Sequence, residues 1–392
     1  MFLILLFISC SNHIASNPSN DLLTKDDAIS KWISIDLHVH SSLGSNDTDG
    51  WGTPENILDA MTQAHLDFVW LTDHSNSLGS MHCEDVEDCP NEGPELIPGQ
   101  WPQNVFRGVE ISPRHENPLE STGHIGCLPR IEEEFDQVTF IDRPFGTVSG
   151  RDVLEQCKNA NGFRILNHPF GPAPWVAFDW TSTDFEAIEI YNGSGGFDNS
   201  DMLALDFWEQ SIVDTLQNDR EATSFYIPIA SSDSHRWSTV APGSVLDPAL
   251  GWPRTYIGIP EQVEQNFDSN KIISLIEDGH LFIGDPSTKL SYSIQNSITS
   301  EVVPVGGTIL KHEKNEIVVE AVSDDDVILE IRFLEEETHE FETVFTSAVT
   351  NDPQEFHMII EESGIVYVRV VPTDFIIGAR GFAMGQFIRI QD

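Results

Sequence analysis

Basic side chains are scarce in this sequence of 392 residues: 20 Lys and Arg stand against 64 Asp and Glu, a formal net charge of −44. So acidic a surface repels phosphate backbones and anionic lipid, and the expectation is that no nucleic acid polymer is a partner. An anionic small-molecule substrate would need a local positive centre. With so few bases available, a metal cluster is the expected source. Cysteine is sparse as well, with five in the chain. Cys83 and Cys89 bracket an acidic loop, CEDVEDC, and suit a disulfide. Cys127 and Cys157 lie in apolar segments and read as buried free thiols. None has the surroundings of a nucleophile. Long apolar runs are missing too. The run at the start, MFLILLFIS, is too short to cross a bilayer, and Cys10 follows it directly. Residues 1–20 therefore read as a leader and linker, with Cys10 as a lipidated attachment to a membrane, or as a plain secretory signal. Export follows in either case, to the cell envelope as a lipoprotein or as a secreted protein.

What is present divides at about residue 286. Up to residue 235 short strand-like runs recur, among them WISIDLHVH, LDFVWLTDH, NVFRGVEIS, TGHIGCLP, FRILNHP, FEAIEIYNG and FYIPIASSDSH. Several are rich in Val, Ile, Phe and Leu without polar alternation, as buried parallel strands are. Helical patterns lie between some of them. In TPENILDAMTQAHL, Pro54 suits the first helical position, and Ile57, Leu58, Met61 and Ala64 are expected to share a face. GRDVLEQCKNANG is a second helix. The fold class expected is α/β, a β/α barrel or open sheet over residues 32–285. Over 287–392 the runs KLSYSIQ, NEIVVEAVS, VILEIRFLE, EFETVFTS, EFHMIIEE and GIVYVRVVP, separated by turn residues, predict a small all-β sandwich.

The chemistry lies where polar residues meet the ends of the first set of strands. His38 and His40 are two apart and point to one side of a strand. Asp73 and His74 end the next run, Glu110 lies near the end of the third, and His124 opens the fourth. His168 ends the fifth, and Asp233 and His235 end the seventh. In α/β barrels those ends form the active-site face. Imidazole and carboxylate are the ligands of Zn²⁺, Mn²⁺ or Fe²⁺, and more are present than one ion needs. The other histidines lack this context and read as surface or structural residues.

The ordered motifs DLHVH, TDH, GVE, GH, NHP and SSDSH resemble the PHP superfamily of metal-dependent hydrolases, named for the polymerase and histidinol phosphatase domain. The likeness spans residues 32–285. The connection RTYIG…LIEDGHLFIGDP and the appended β domain resemble the carbaryl hydrolase-like branch. The resemblance implies a distorted seven-stranded β/α barrel carrying two to three divalent ions. By motif, His38, His40, Glu110 and Asp233 would hold one ion, and Glu110, His124 and His168 a second. His74 and His235 would hold the third with a loop residue, Asp49 or alternatively Asp47. Asp36 and Asp73 would orient the ligand histidines from behind.

Such a centre needs no serine or cysteine nucleophile, because a water held between ions supplies it. The function expected is hydrolysis of a small phosphate ester or nucleotide. Cleavage of an amide, carbamate or ester bond is the alternative, favoured by acidic and aromatic loops such as the one carrying Trp175, Phe178 and Trp180. Arg236, next to His235, is a candidate phosphate contact or salt-bridge partner. A non-catalytic surface binding protein with a vestigial barrel is the reading from a different class.

Overall fold

The computed structural model describes residues 29–41, 45, 54–74, 103–112, 123–131, 149–171, 184–193, 196–219, 222–235, 248–263, 266–335, 338, 340–374 and 378–392. Cys10, Asp47, Asp49, Cys83, Cys89, Trp175, Phe178, Trp180 and Arg236 lie outside them. In chain order the first elements are β1 (Ile29–Val39), α1 (Pro54–Ala64), β2 (Phe68–Leu71), β3 (Val105–Arg107), β4 (Val109–Ile111) and β5 (His124–Pro129). Next come α2 (Gly150–Asn159), β6 (Gly162–Asn167), β7 (Ala187–Asn192), α3 (Asn199–Asn218), β8 (Ile227–Ser231), β9 (Arg254–Pro260), α4 (Ser269–Glu277) and β10 (Leu281–Gly284). Among the described residues strands alone follow: β11 (Thr288–Asn296), β12 (Glu301–Pro304), β13 (Thr308–Leu310), β14 (Asn315–Ser323), β15 (Val327–Glu335) and β16 (Glu342–Val349). The last four are β17 (Gln354–Ile360), β18 (Gly364–Pro372), β19 (Ala383–Gly385) and β20 (Ile388–Gln391).

The helices form for local reasons. In α2, Ser149 caps the first turn and Asp152 returns the bond to the Ser149 backbone. Asp198 and Asp201 close the same reciprocal cap on α3. The buried stripe of α1 is Ile57, Ala60, Met61 and Ala64, while Leu58, expected on that face, is 44 % exposed. The twenty-residue α3 was not anticipated from its sequence, in which acidic residues interrupt the apolar stripe.

The β/α barrel expected over the first segment is not what forms. Among the described residues there are twenty strands and four helices. The first-segment strands divide between a five-stranded sheet, β4-β5-β6-β7-β8, and one arm of an eleven-stranded sheet ordered β3-β2-β1-β9-β10-β19-β18 onward. Among the described residues, isolated bridges, Val39 with Ser234 and His74 with Glu110, and hydrogen bonds such as that of Ala230 with Thr255 link the two. Antiparallel pairing is the reason. β4–β5, β5–β6, β1–β9 and β9–β10 all run antiparallel, and such pairs need no crossover helix. Strands buried on both faces look equally apolar in either direction, so composition did not reveal the reversals.

Hydrogen bonding runs on from β10 to β19 and β18, so residues on both sides of 286 share one sheet. The four-stranded sheet β12-β11-β14-β17 buries Tyr292, Ile294, Ile317 and Val319 in the same apolar cluster as Leu329, Ile331, Val368 and Val370. Cys127 and Cys157 are not free thiols: they form a disulfide joining β5 to α2. Each apolar context taken alone suits a buried thiol, whereas the strand–helix packing brings the two sulfurs together. A Cβ at Gly162 would lie 2.6 Å from both sulfurs, so only glycine fits where β6 begins.

Two buried polar contacts tie α3 and β7 to the C-terminal strands. Glu209 receives both Arg332 nitrogens, Nε at 3.0 Å and Nη2 at 2.9 Å, and the Tyr367 hydroxyl. Replacing Glu209 by Ala would leave two largely buried guanidiniums, Arg332 and Arg369, without this carboxylate. We expect a loss of roughly 3 kcal/mol in urea unfolding, as for other broken buried pairs. A loss under about 0.5 kcal/mol would show that the contact is dispensable. Asp285 accepts from the Gly381 backbone at 2.7 Å and from the Tyr191 hydroxyl at 3.1 Å. Burial raises its pKa from 3.8 to about 6. A raised folded pKa contributes stability that is full below pH 3.8 and lost as pH rises through about 6. Unfolding midpoints from pH 4 to 7 should therefore fall less steeply for Asp285→Asn than for the parent, and parallel curves would contradict this.

Candidate metal centre

Eight polar side chains converge between the two sheets. His38 lies in β1 and His40 one residue beyond it; because they alternate on one strand side, their Nε2 atoms come within 3.1 Å. His74 follows β2, Glu110 is the middle residue of β4, and His124 is the first of β5. His168 directly follows β6, and Asp233 and His235 follow β8. His168 and Asp233 hold positive φ angles of 26° and 55°, uncommon outside glycine, where two strands end at the cluster.

Glu110 is the hub. Its Oε1 lies 3.1 Å from His38 Nε2, 3.0 Å from His124 Nδ1 and 3.3 Å from His168 Nε2, while Oε2 lies 3.2 Å from His74 Nδ1 and 3.6 Å from His40 Nε2. Asn167 donates to Oε1 at 2.9 Å. Asp233 Oδ1 lies 3.2 Å from His40 Nε2 and 3.3 Å from His38 Nε2. The rings of His40 and His235 stack at 4.2 Å, and His74 lies 4.5 Å from His40.

Four sets of these residues bring ligand atoms within 4.8 Å of one another and could hold a metal ion: His40, His74 and His235; His38, His168 and Asp233; His38, His40 and Glu110; Glu110, His124 and His168. The structure thus brings together every sequence-predicted ligand except Asp49, which lies outside the described residues. The donors fit a metal. Neither nitrogen of the buried His124 ring makes an aligned hydrogen bond with a described residue, although Nδ1 is 3.0 Å from Glu110. Close approach without alignment is what groups sharing an ion would adopt.

Electrostatics divide the rings. Burial opposes charge on His38, yet Asp233, Glu110 and Glu189 together raise its pKa well above the usual value. His168 is also raised, burial being outweighed by Glu110. Burial, followed by His235 and His74, lowers His40 to about 3, and burial lowers His124 to about 4. Burial would raise Glu110, but His124 and His38 hold it well below the carboxylate range. Among the described residues, Glu110 and Asp233 pair with histidines and with no Lys or Arg.

Behind the rings, Asp73 accepts from Ser41 Oγ at 2.6 Å and Ser45 Oγ at 2.8 Å, and Ser45 Oγ meets His40 Nδ1 at 3.1 Å. Asp73 thus orients His40 through Ser45, leaving Nε2 toward the cluster. Asp36 works on the backbone, accepting from Gly251 N at 2.7 Å and Ser232 N at 3.0 Å, next to Asp233. Burial raises both Asp36 and Asp73 to about 6. Sequence reasoning missed Glu189, which meets His38 Nδ1 at 3.2 Å, and Asn192, which donates to Asp233 Oδ2 at 3.2 Å. A lone Glu between isoleucines in FEAIEIYNG was the available signal.

No family model and no curated protein matches this chain. Among solved structures, it is similar to Endonuclease Q in complex with a 27-mer duplex substrate with an abasic lesion at the active site, at 12% identity and a TM-score of 0.39. That match covers 63% of this chain and 57% of the other, so the chain spans under two thirds of its neighbour. A likeness of this degree leaves fold and chemistry to be argued from the chain itself. The exclusion of nucleic acid polymers, made from net charge alone, is withdrawn. Charge summed over a whole chain does not decide what a recessed, metal-charged site admits.

Because His38 and His168 attract protons that a bound cation must displace, metal uptake should release protons and strengthen from pH 5 to pH 7. Calorimetric titration with Zn²⁺ in two buffers of different ionisation enthalpy would measure the release. Equal heats in both buffers, with affinity independent of pH, would contradict this account of the cluster.

Proposed function

We propose that the chain is a metal-dependent hydrolase whose centre is built from His38, His40, His74, Glu110, His124, His168, Asp233 and His235, with Asp49 as the loop ligand. The observation that carries this reading is the convergence of six imidazoles and two carboxylates, from strands of two sheets, onto one mostly buried point. Four overlapping ligand sets suit two to three ions, and an imidazole-rich shell suits Zn²⁺, Fe²⁺ or Mn²⁺. When bound, the ions would acidify a water and polarise a phosphoryl or carbonyl oxygen.

The residues' own parts follow from their places. Glu110, within 3.6 Å of five rings, balances the charge at the middle of the centre. Asp73 and Ser45 hold His40 with Nε2 inward. His235, with 24 % of its side chain exposed, marks the solvent-facing side where substrate enters. The PHP likeness of the motifs points to a small phosphate ester or nucleotide as substrate. The amide, carbamate or ester reading keeps one specific support: no Lys or Arg pairs with the cluster's carboxylates among the described residues, and the loops flanking the centre in sequence are acidic and aromatic. Export, with Cys10 lipidated or the leader removed, completes the proposal.

Assays on p-nitrophenyl phosphate, bis-p-nitrophenyl phosphate and p-nitrophenyl acetate with added Mn²⁺ or Zn²⁺ separate the readings. Phosphate release that falls at least 100-fold in His38→Ala is the expected result. Acetate cleavage alone would move the assignment to the amide or carbamate class, and inactivity of a metal-loaded chain on all three would contradict the hydrolase.

A further inference from the structure

We propose that Glu189 is a positioning residue that assembles the ligand group His38, His168 and Asp233; the inference rests on the metal-centre reading above. Glu189 sits in β7 between Ile188 and Ile190, both fully buried, and its side chain is 0 % exposed. Its Oε1 lies 3.2 Å from His38 Nδ1. Its Oε2 accepts from the backbone N–H of His168 at 2.8 Å and from Asn192 Nδ2 at 3.1 Å. The same Asn192 nitrogen lies 3.2 Å from Asp233 Oδ2. One carboxylate therefore touches the ring of the first ligand, the backbone of the second and, through one amide, the carboxylate of the third.

Each contact has a consequence. With Nδ1–H donated to Glu189, Nε2 is the nitrogen left to ligate, and it faces Glu110 at 3.1 Å and Asp233 at 3.3 Å. A carboxylate on the far nitrogen also makes the ring a stronger ligand. The bond to the His168 N–H pins a residue whose φ of 26° the backbone would otherwise avoid. Glu189 belongs to none of the four ligand sets and lies behind His38, so it acts through ligands and is not one itself. A buried carboxylate has a desolvation cost that a glutamine there would avoid, which assigns its charge to the imidazole it faces.

The test uses the full chain, stripped of metal and titrated with Co²⁺, read by visible absorption; parent, Glu189→Ala and Glu189→Gln are compared. The expected result is a 10- to 100-fold weaker tightest Co²⁺ binding in the Ala variant with altered absorption bands. In the Gln variant, which keeps the shape and one acceptor, the parent bands should be restored while affinity stays intermediate. Should the Ala variant fail to fold, the isosteric Gln variant carries the comparison through its affinity alone. Parent-like affinity and bands in both variants would overturn the role of Glu189 while leaving the metal centre standing. A parent chain that binds no Co²⁺ would overturn the metal-centre reading itself, and this inference with it.

Discussion

The burial of one carboxylate, Glu110, among five imidazoles is the interaction on which the rest depends. It is 1 % exposed, and a carboxylate so placed is tolerable only where positive charge or donated protons surround it. The five-stranded sheet begins at β4, which carries Glu110, and Glu110 bridges to His74, just beyond β2 of the larger sheet. The hub of the candidate centre thus also takes part in joining the sheets. Without cations the cluster must carry protons instead, and its neighbours split accordingly: His38 and His168 are drawn toward protonation, while His40 and His124 are driven from it. Divalent ions would replace that uneven arrangement with one in which every ring is neutral and ligating.

Around this point the chain is braced at increasing distance. Asp73 with Ser45, Asp36 with the Ser232 and Gly251 backbone, and Glu189 with Asn192 hold the rings and strand ends. Farther out, Tyr191 on β7 reaches Asp285, which also accepts from the Gly381 backbone and pairs with Arg380 at 3.5 Å. The C-terminal strands therefore reach, through two hydrogen bonds, the strand that supplies Glu189 and Asn192. Glu209 with Arg332 fastens the other side through α3. The shared sheet from β1 to β18 makes these contacts parts of one packed body.

Much of the centre was legible in the sequence because its residues sit at strand ends in short patterned motifs. HxH at a strand end places both rings on one side, where their Nε2 atoms come within 3.1 Å. Glu189 was hidden because a single acid between isoleucines resembles the solvent-facing position of an alternating strand. The disulfide was hidden because Cys127 and Cys157 are 30 residues apart, and only the packing of α2 on β5 and β6 brings them together. The barrel expectation failed for a related reason. Hydropathy reports burial but not strand direction, and the reversals at β4–β5 and β5–β6 depend on pairing that no single segment encodes.

The most direct test of this account is a count of metal by elemental analysis on the purified full chain and on Glu110→Gln, after incubation with Zn²⁺ or Mn²⁺ and removal of loosely held ions. Two to three ions per parent chain, with most of them lost in the variant, is the result the account predicts. A folded parent chain that retains none would contradict it.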